Sequence, residues 1–158
     1  MKTLPRCFVL AVVLATAGMA GAATAADSSA AGTTLTPDQL KWKPSTRVAG
    51  LETADIIGDS TKGAYTLRVK FPANFKMQAH SHPEDRSYTI ISGVWYVGWG
   101  KKLDESVLKP LPAGSFYTEP ANVPHFVATK GEPAVIQITG TGATAVNFVD
   151  PAHVTKKK

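Results

Sequence analysis

From Val48 to Asp150 the chain is cut into short apolar runs by turn residues, and no run sustains a helical period. The clearest run is Tyr65–Phe71, where Tyr65, Leu67, Val69 and Phe71 alternate with Thr66, Arg68 and Lys70. A period of two puts those four apolar side chains on one face of a strand. Ala54–Ile57 stops at Gly58 and Asp59, and Phe75–His82 follows the turn Pro72, Ala73, Asn74. Tyr88–Ile91 stops at Ser92 and Gly93, and that tight pair before Val94–Trp99 predicts a hairpin. The mixed charges of Lys101–Glu105 read as a solvated loop, and strands are expected at Ser115–Thr118, His125–Ala128, Ala134–Thr139 and Thr144–Val149. Roughly ten short strands at this spacing predict one all-β domain, a sandwich or barrel, with no second domain and no long repeat.

Three of the four histidines fall in two of these pieces. His80 and His82 lie two apart on an extended segment, so both imidazoles project from one face. His125 opens another strand, behind the turn Glu119–Pro124, and brings a third imidazole. Three such nitrogens suit a divalent ion, with zinc, iron, manganese and nickel all left open. His153 sits alone near the C-terminus and reads as a surface residue.

The N-terminus looks like a segment apart from the domain. Lys2 and Arg6 precede the apolar run Phe8–Ala15, and small residues lead to Ala23, Thr24, Ala25 and Ala26. A charged start, a short apolar core and an A-x-A site predict a cleaved export signal over residues 1–25, and a periplasmic or secreted protein. The apolar core is shorter than the ~20 residues a membrane span needs. Residues 26–46 are expected to be a flexible leader and one short helical turn, with Thr36 as N-cap and Pro37 at the first helical position. The barrel is assigned to 47–150, and 151–158 to a basic tail. Cys7 is the only cysteine. Cleavage would remove it, which excludes disulfides, thiolate ligands and a cysteine nucleophile. The formal charge of +5 would fall by two with Lys2 and Arg6, and Lys156, Lys157 and Lys158 supply much of the remainder. No basic stripe interleaved with aromatics is present, so nucleic acid is not an expected partner, nor a membrane after cleavage.

His80-x-His82, with Gly93 eleven positions after the second histidine, resembles the first motif of the cupins, H-x-H-x(3,4)-E-x(6)-G. Gly114, Pro120, Asn122 and His125 resemble the second, G-x(5)-P-x-G-x-x-H-x(3)-N, with correct spacing. The likeness spans about Ala64 to Phe148 and extends to exported single-domain cupins that open with a Pro-Asp-x-Leu-x-Trp segment like Pro37–Trp42. It implies a jelly-roll β-barrel, often a homodimer, with a metal near its middle. The chain departs from the pattern in three places. Arg86 stands where the glutamate ligand would fall, Asn122 replaces a glycine, and Thr129 replaces the last asparagine.

Arg86 admits three arrangements. It borders a three-histidine metal site and binds an anionic substrate through its planar fork. Or Glu84 or Asp85 bends in as the missing ligand. Or the metal is lost, and Arg86 turns outward to pair with one of those acids. Tyr88 shares its strand parity and is a candidate proton donor, with plain barrel core as the alternative. Gln78 shares parity with His80 and His82 and is a candidate ligand contact. Trp95, with Tyr96 and Trp99, is a candidate aromatic wall for a substrate, or core packing. Glu119 is assigned to a turn near the mouth. Two functions fit: a metal-dependent enzyme on a small, anionic molecule, with oxygenase, isomerase or decarboxylase chemistry open, and a non-catalytic ligand-binding or sensing barrel.

Overall fold

The structure, a computed structural model, describes residues 32–153. The expected signal segment (1–25), most of the leader and the lysines of the tail lie outside the described residues. The chain divides into two units, Met1–Thr34 and Leu35–Lys158, and the strands belong to the second.

The expected helical turn is a single 3-10 turn, Pro37–Gln39, in which the Thr36 N–H donates to Gln39 Oε1 at 2.8 Å. Trp42 then docks on the domain, with the Lys70 ammonium 4.0 Å above its ring. Eleven strands follow among the described residues: β1 (Lys43–Pro44), β2 (Glu52–Gly58), β3 (Tyr65–Phe71), β4 (Lys76–Ser81), β5 (Arg86–Ser92), β6 (Val94–Trp99), β7 (Lys109–Pro112), β8 (Phe116–Glu119), β9 (His125–Ala128), β10 (Ala134–Gly140) and β11 (Asn147–Phe148). They form two antiparallel sheets, ordered β1-β2-β3-β10-β5-β8 and β11-β4-β9-β6-β7. This is the all-β architecture expected from the strand pattern and the jelly roll that the family resemblance implied.

The alternation read in Tyr65–Phe71 is the alternation observed, with Tyr65, Leu67, Val69 and Phe71 buried. They join Tyr88, Ile90, Ile136 and Ile138 from the same sheet and meet Met77, Val127, Trp95, Val97 and Leu111 from the other. Each aliphatic or phenyl side chain so buried stabilises the fold by about 1.5–3 kcal/mol.

The hairpin expected at Ser92 and Gly93 is not there. β5 pairs with β10 and β8, while β6 pairs with β7 and β9, so the chain crosses from one sheet to the other at this point. The reason is burial. Tyr88 and Ile90 cover the core from one side, Trp95 and Val97 from the other, and a hairpin would have kept all four in one sheet. Gly93 makes the crossing with φ 75°, and a Cβ there would stand 2.2 Å from the Pro133 carbonyl oxygen.

Candidate metal centre

Three local features deliver the histidines. β4 and β9 pair with His80 directly opposite His125, so these two imidazoles share one face of the ladder. His82 lies just beyond the end of β4, where its carbonyl accepts the Asn122 N–H at 2.7 Å. Asp85 Oδ1 accepts the Ala121 N–H at 2.7 Å, so the turn before β9 is tied to the segment after β4. Asn122, which stands at the pattern's glycine position, has φ 62°. Asparagine is one of the few residues that accept this left-handed conformation.

All three histidines are buried, and their candidate ligand atoms lie within 4.8 Å of one another. Each Nδ1 faces a backbone carbonyl: Gln78 at 2.8 Å for His80, Ala145 at 2.6 Å for His82, and Val123 at 3.1 Å for His125. A carbonyl only accepts, so each Nδ1 carries the proton and each Nε2 keeps a lone pair. Burial holds the rings neutral, lowering His80 to about 3 and His125 to about 4, and His82 further still. Three neutral imidazoles, each oriented through its second nitrogen, fit a divalent metal. His80, His82 and His125 would hold it.

The facing wall is charged. β5 and β8 pair with Arg86 opposite Glu119 and Tyr88 opposite Tyr117, whose rings stack at 4.5 Å. Glu119 was expected in an outer turn. It is instead the last residue of β8, only 2% exposed, with its carboxylate inside the barrel. Tyr117 OH donates to its Oε1 at 3.1 Å and Tyr88 OH to its Oε2. Trp95 Nε1–H donates to Tyr117 OH at 2.9 Å, which extends the chain. Glu119 Oε1 stands 3.1 Å from His125 Nε2, and Oε2 stands 3.7 Å from His82 Nε2. Burial outweighs these hydrogen bonds and pushes the Glu119 carboxyl up to about 7. The reason for the misplacement is phase. Extending the expected strand Ser115–Thr118 by one residue puts Glu119 in step with Tyr117, facing inward.

Arg86 is 8% exposed and does not turn outward. Its Nε–H donates to Glu84 Oε1 at 2.7 Å, Nη1 to Tyr88 OH at 3.2 Å, and Nη2 to Thr144 Oγ1. The pairing with Glu84 foreseen for an outward arginine therefore forms inside the barrel. Glu84 Oε1 also accepts from Tyr65 OH at 2.9 Å, while its buried Oε2 has no protein partner. Glu84 stands outside the histidine cluster. Asp85 is exposed and serves the turn described above.

Gln78 departs from its expected place. A bulge interrupts the β4–β9 register between Met77 and His80 and breaks the parity of the strand. Met77, not Gln78, joins His80 in lining the interior cavity, and Gln78 contributes its backbone carbonyl to His80. Tyr88 and Trp95 both line that cavity, which measures about 80 Å³. Trp95 is 1% exposed and packs on Phe71 at 4.4 Å between ring centroids. Trp99 lies outside with its edge toward His125 at 5.7 Å, and Tyr96 is half-buried beneath the Lys130 ammonium. Thr129, in place of the pattern's asparagine, bridges Pro72 and Phe75 through its hydroxyl. Besides Glu119, sequence reasoning passed over Tyr117 and Thr144.

Residues 30–145 match the family model described as the ChrR cupin-like domain. No curated protein matches. Among solved structures the chain is similar to the polyketide cyclase RemF from Streptomyces resistomycificus, at 12% identity and TM-score 0.64, covering 78% of this chain and 89% of that one. An RmlC-like cupin from Shewanella frigidimarina aligns at 15% identity and TM-score 0.56, over 72% of this chain and 93% of that one. The DMSP lyase DddQ from Ruegeria pomeroyi aligns at 18% identity and TM-score 0.52, over 65% and 56%. At these identities the likeness is one of fold. Together with the family match over most of the chain, it makes this protein a cupin of the ChrR cupin-like domain family.

Proposed function

We propose that this chain is an exported cupin that holds a divalent metal on His80, His82 and His125 and uses it to bind or transform a small, anionic molecule inside the barrel. The observation that carries the reading is the pinning of all three Nδ1 atoms by backbone carbonyls, which leaves three Nε2 lone pairs converging in one buried space. A divalent ion supplies Lewis acidity there, or oxygen chemistry if it is redox-active. The chain's own residues define what enters. A cavity of about 80 Å³ suits a compact ligand or a few waters. The Arg86 guanidinium lines it and favours negative charge. Tyr88 OH lines the cavity and is a candidate to hold or move a proton, and it is already committed as a donor to Glu119.

That commitment favours a second reading, a barrel that holds its ligand without turnover. All three nitrogens of Arg86 and both oxygens of Glu119 already have protein partners. The similar structures named for cyclase and lyase activity support the catalytic reading only by showing that such folds host chemistry. Export rests on Lys2, Arg6, the apolar run and the A-x-A site, and a homodimer belongs to the same proposal.

Elemental analysis of protein purified from the periplasm tests the metal reading. A stoichiometric divalent ion that is lost in His80→Ala is expected. Less than ~0.2 ion per chain, unchanged by His80→Ala, overturns it. Mass spectrometry of the same sample should find a chain beginning at Ala26. A full-length chain retained inside the cell overturns export.

A further inference from the structure

We infer that the carboxylate ligand of this metal centre is Glu119, supplied from β8, while its cross-strand partner Arg86 occupies the motif position that would otherwise carry an acid. The inference rests on the metal reading above and adds a ligand outside the histidine cluster.

The geometry argues from facing acceptors. His125 Nε2 lies 3.1 Å from Glu119 Oε1, and His82 Nε2 lies 3.7 Å from Oε2. With the Nδ1 protons committed to Val123 and Ala145, both Nε2 atoms offer lone pairs. A carboxylate facing them offers lone pairs as well. Acceptors this close in a dry interior repel unless a proton or a metal ion joins them. Tyr117 and Tyr88 each donate to one Glu119 oxygen and leave each with acceptor capacity to spare.

Charge points the same way. Glu119 is 2% exposed, and no lysine or arginine among the described residues forms an ion pair with it. Arg86, the residue opposite it in the ladder, pairs with Glu84 instead. A carboxylate this deep needs either a proton or a counter-charge, and a divalent ion between it and the histidines supplies the second. Arg86 and Glu84 cancel, the imidazoles are neutral, and Glu119 offsets half of the ion's charge. One net positive charge remains, which selects an anionic ligand for an open position on the metal. The competing carboxylate is Glu84, whose Oε2 is buried without a partner. Its other oxygen, however, is held by both Arg86 and Tyr65, which fixes Glu84 as the counter-ion of the arginine.

The test is cobalt(II) titration of the metal-stripped wild type, Glu119→Gln and Glu84→Gln, read by visible absorption and by competition with a chelator. Glu119→Gln should lower affinity by about 100-fold or more and change the absorption bands, because outer-sphere partners alone are worth about 10–100-fold. Glu84→Gln should keep the wild-type bands and lose less than about tenfold. Near-UV circular dichroism checks the fold of each variant. Should Glu119→Gln fail to fold, Glu119→Asp keeps the charge with a shorter reach and should show shifted bands with intermediate affinity. Wild-type bands and affinity in either Glu119 variant overturn the inference, as does a loss confined to Glu84→Gln. A wild type that takes up no cobalt overturns the metal reading and this inference with it. Cobalt uptake that is indifferent to Glu119 overturns this inference alone.

Discussion

The two walls of the barrel that meet at the site are built on opposite principles. The β4–β9 wall carries neutral imidazoles, each pinned by a carbonyl of its own or a neighbouring segment, with one lone pair left free. The β5–β8 wall carries ionised or strongly polar side chains that bond one another across the ladder, from Tyr117 through Glu119 and Tyr88 to Arg86, with Trp95 of the other sheet joining at one end and Glu84, just before β5, at the other. The first wall leaves lone pairs that would suit a cation. The second is nearly satisfied within itself. In the proposed reading the neutral donor set would take a metal, and the carboxylate of Glu119, opposite an arginine already paired with Glu84, would help to hold it.

Breaking the charged wall should have the largest effect on stability. Arg86→Met removes one partner of a pair whose side chains are 7% and 5% exposed. It should cost about 3–5 kcal/mol in chemical denaturation, because Glu84 is left as an uncompensated buried charge. Adding Glu84→Leu should recover most of that loss. A single variant as stable as the wild type would show that the second wall is not held by this pair.

The neutral wall should reveal itself through pH. In metal-stripped protein, His80 and His125 titrate at about 3 and 4 when folded, against 6.5 when unfolded, and His82 lies lower still. The unfolded chain therefore binds protons that the folded chain refuses, and stability is lost as pH falls from 6.5 toward 4. Glu119 works in the opposite sense, since its folded value of about 7 exceeds the ordinary 4.5. Three histidines outweigh one carboxyl, leaving roughly two extra protons on the unfolded chain and a loss of about 2.7 kcal/mol per pH unit. Denaturation midpoints that stay flat between pH 6.5 and 4.5 would contradict this.

The smallest effect concerns the link between the walls. Tyr88→Phe deletes the donor to Glu119 Oε2 and the acceptor for Arg86 Nη1. About 1–3 kcal/mol of stability should go with it, measured by thermal melting, because buried polar groups lose their partners. A change within about 0.5 kcal/mol would mean that the two walls are energetically separate.

The first wall was legible from sequence because its information is local. Two histidines two apart on an extended segment share a face whatever the rest of the fold does. The alternation of Tyr65–Phe71 was legible for the same reason. The second wall was not. Which residue faces Arg86 depends on the register of β5 against β8, strands that are separated in sequence by β6 and β7. Glu119 fell one residue past the expected end of its strand and was assigned to a turn. Gln78 failed through a bulge, and the Ser92–Gly93 hairpin failed because burial on both sides of one core overrode a local turn signal.

The central claim is that a metal sits between the two walls. Diffraction from crystals grown with one equivalent of zinc, with anomalous data collected above and below the zinc edge, measures this directly. The account predicts one anomalous peak within bonding distance of Nε2 of His80, His82 and His125, with a Glu119 oxygen completing the set. A peak elsewhere, for instance at the exposed pair of His153 and Asp150, with none among the three histidines, would contradict it.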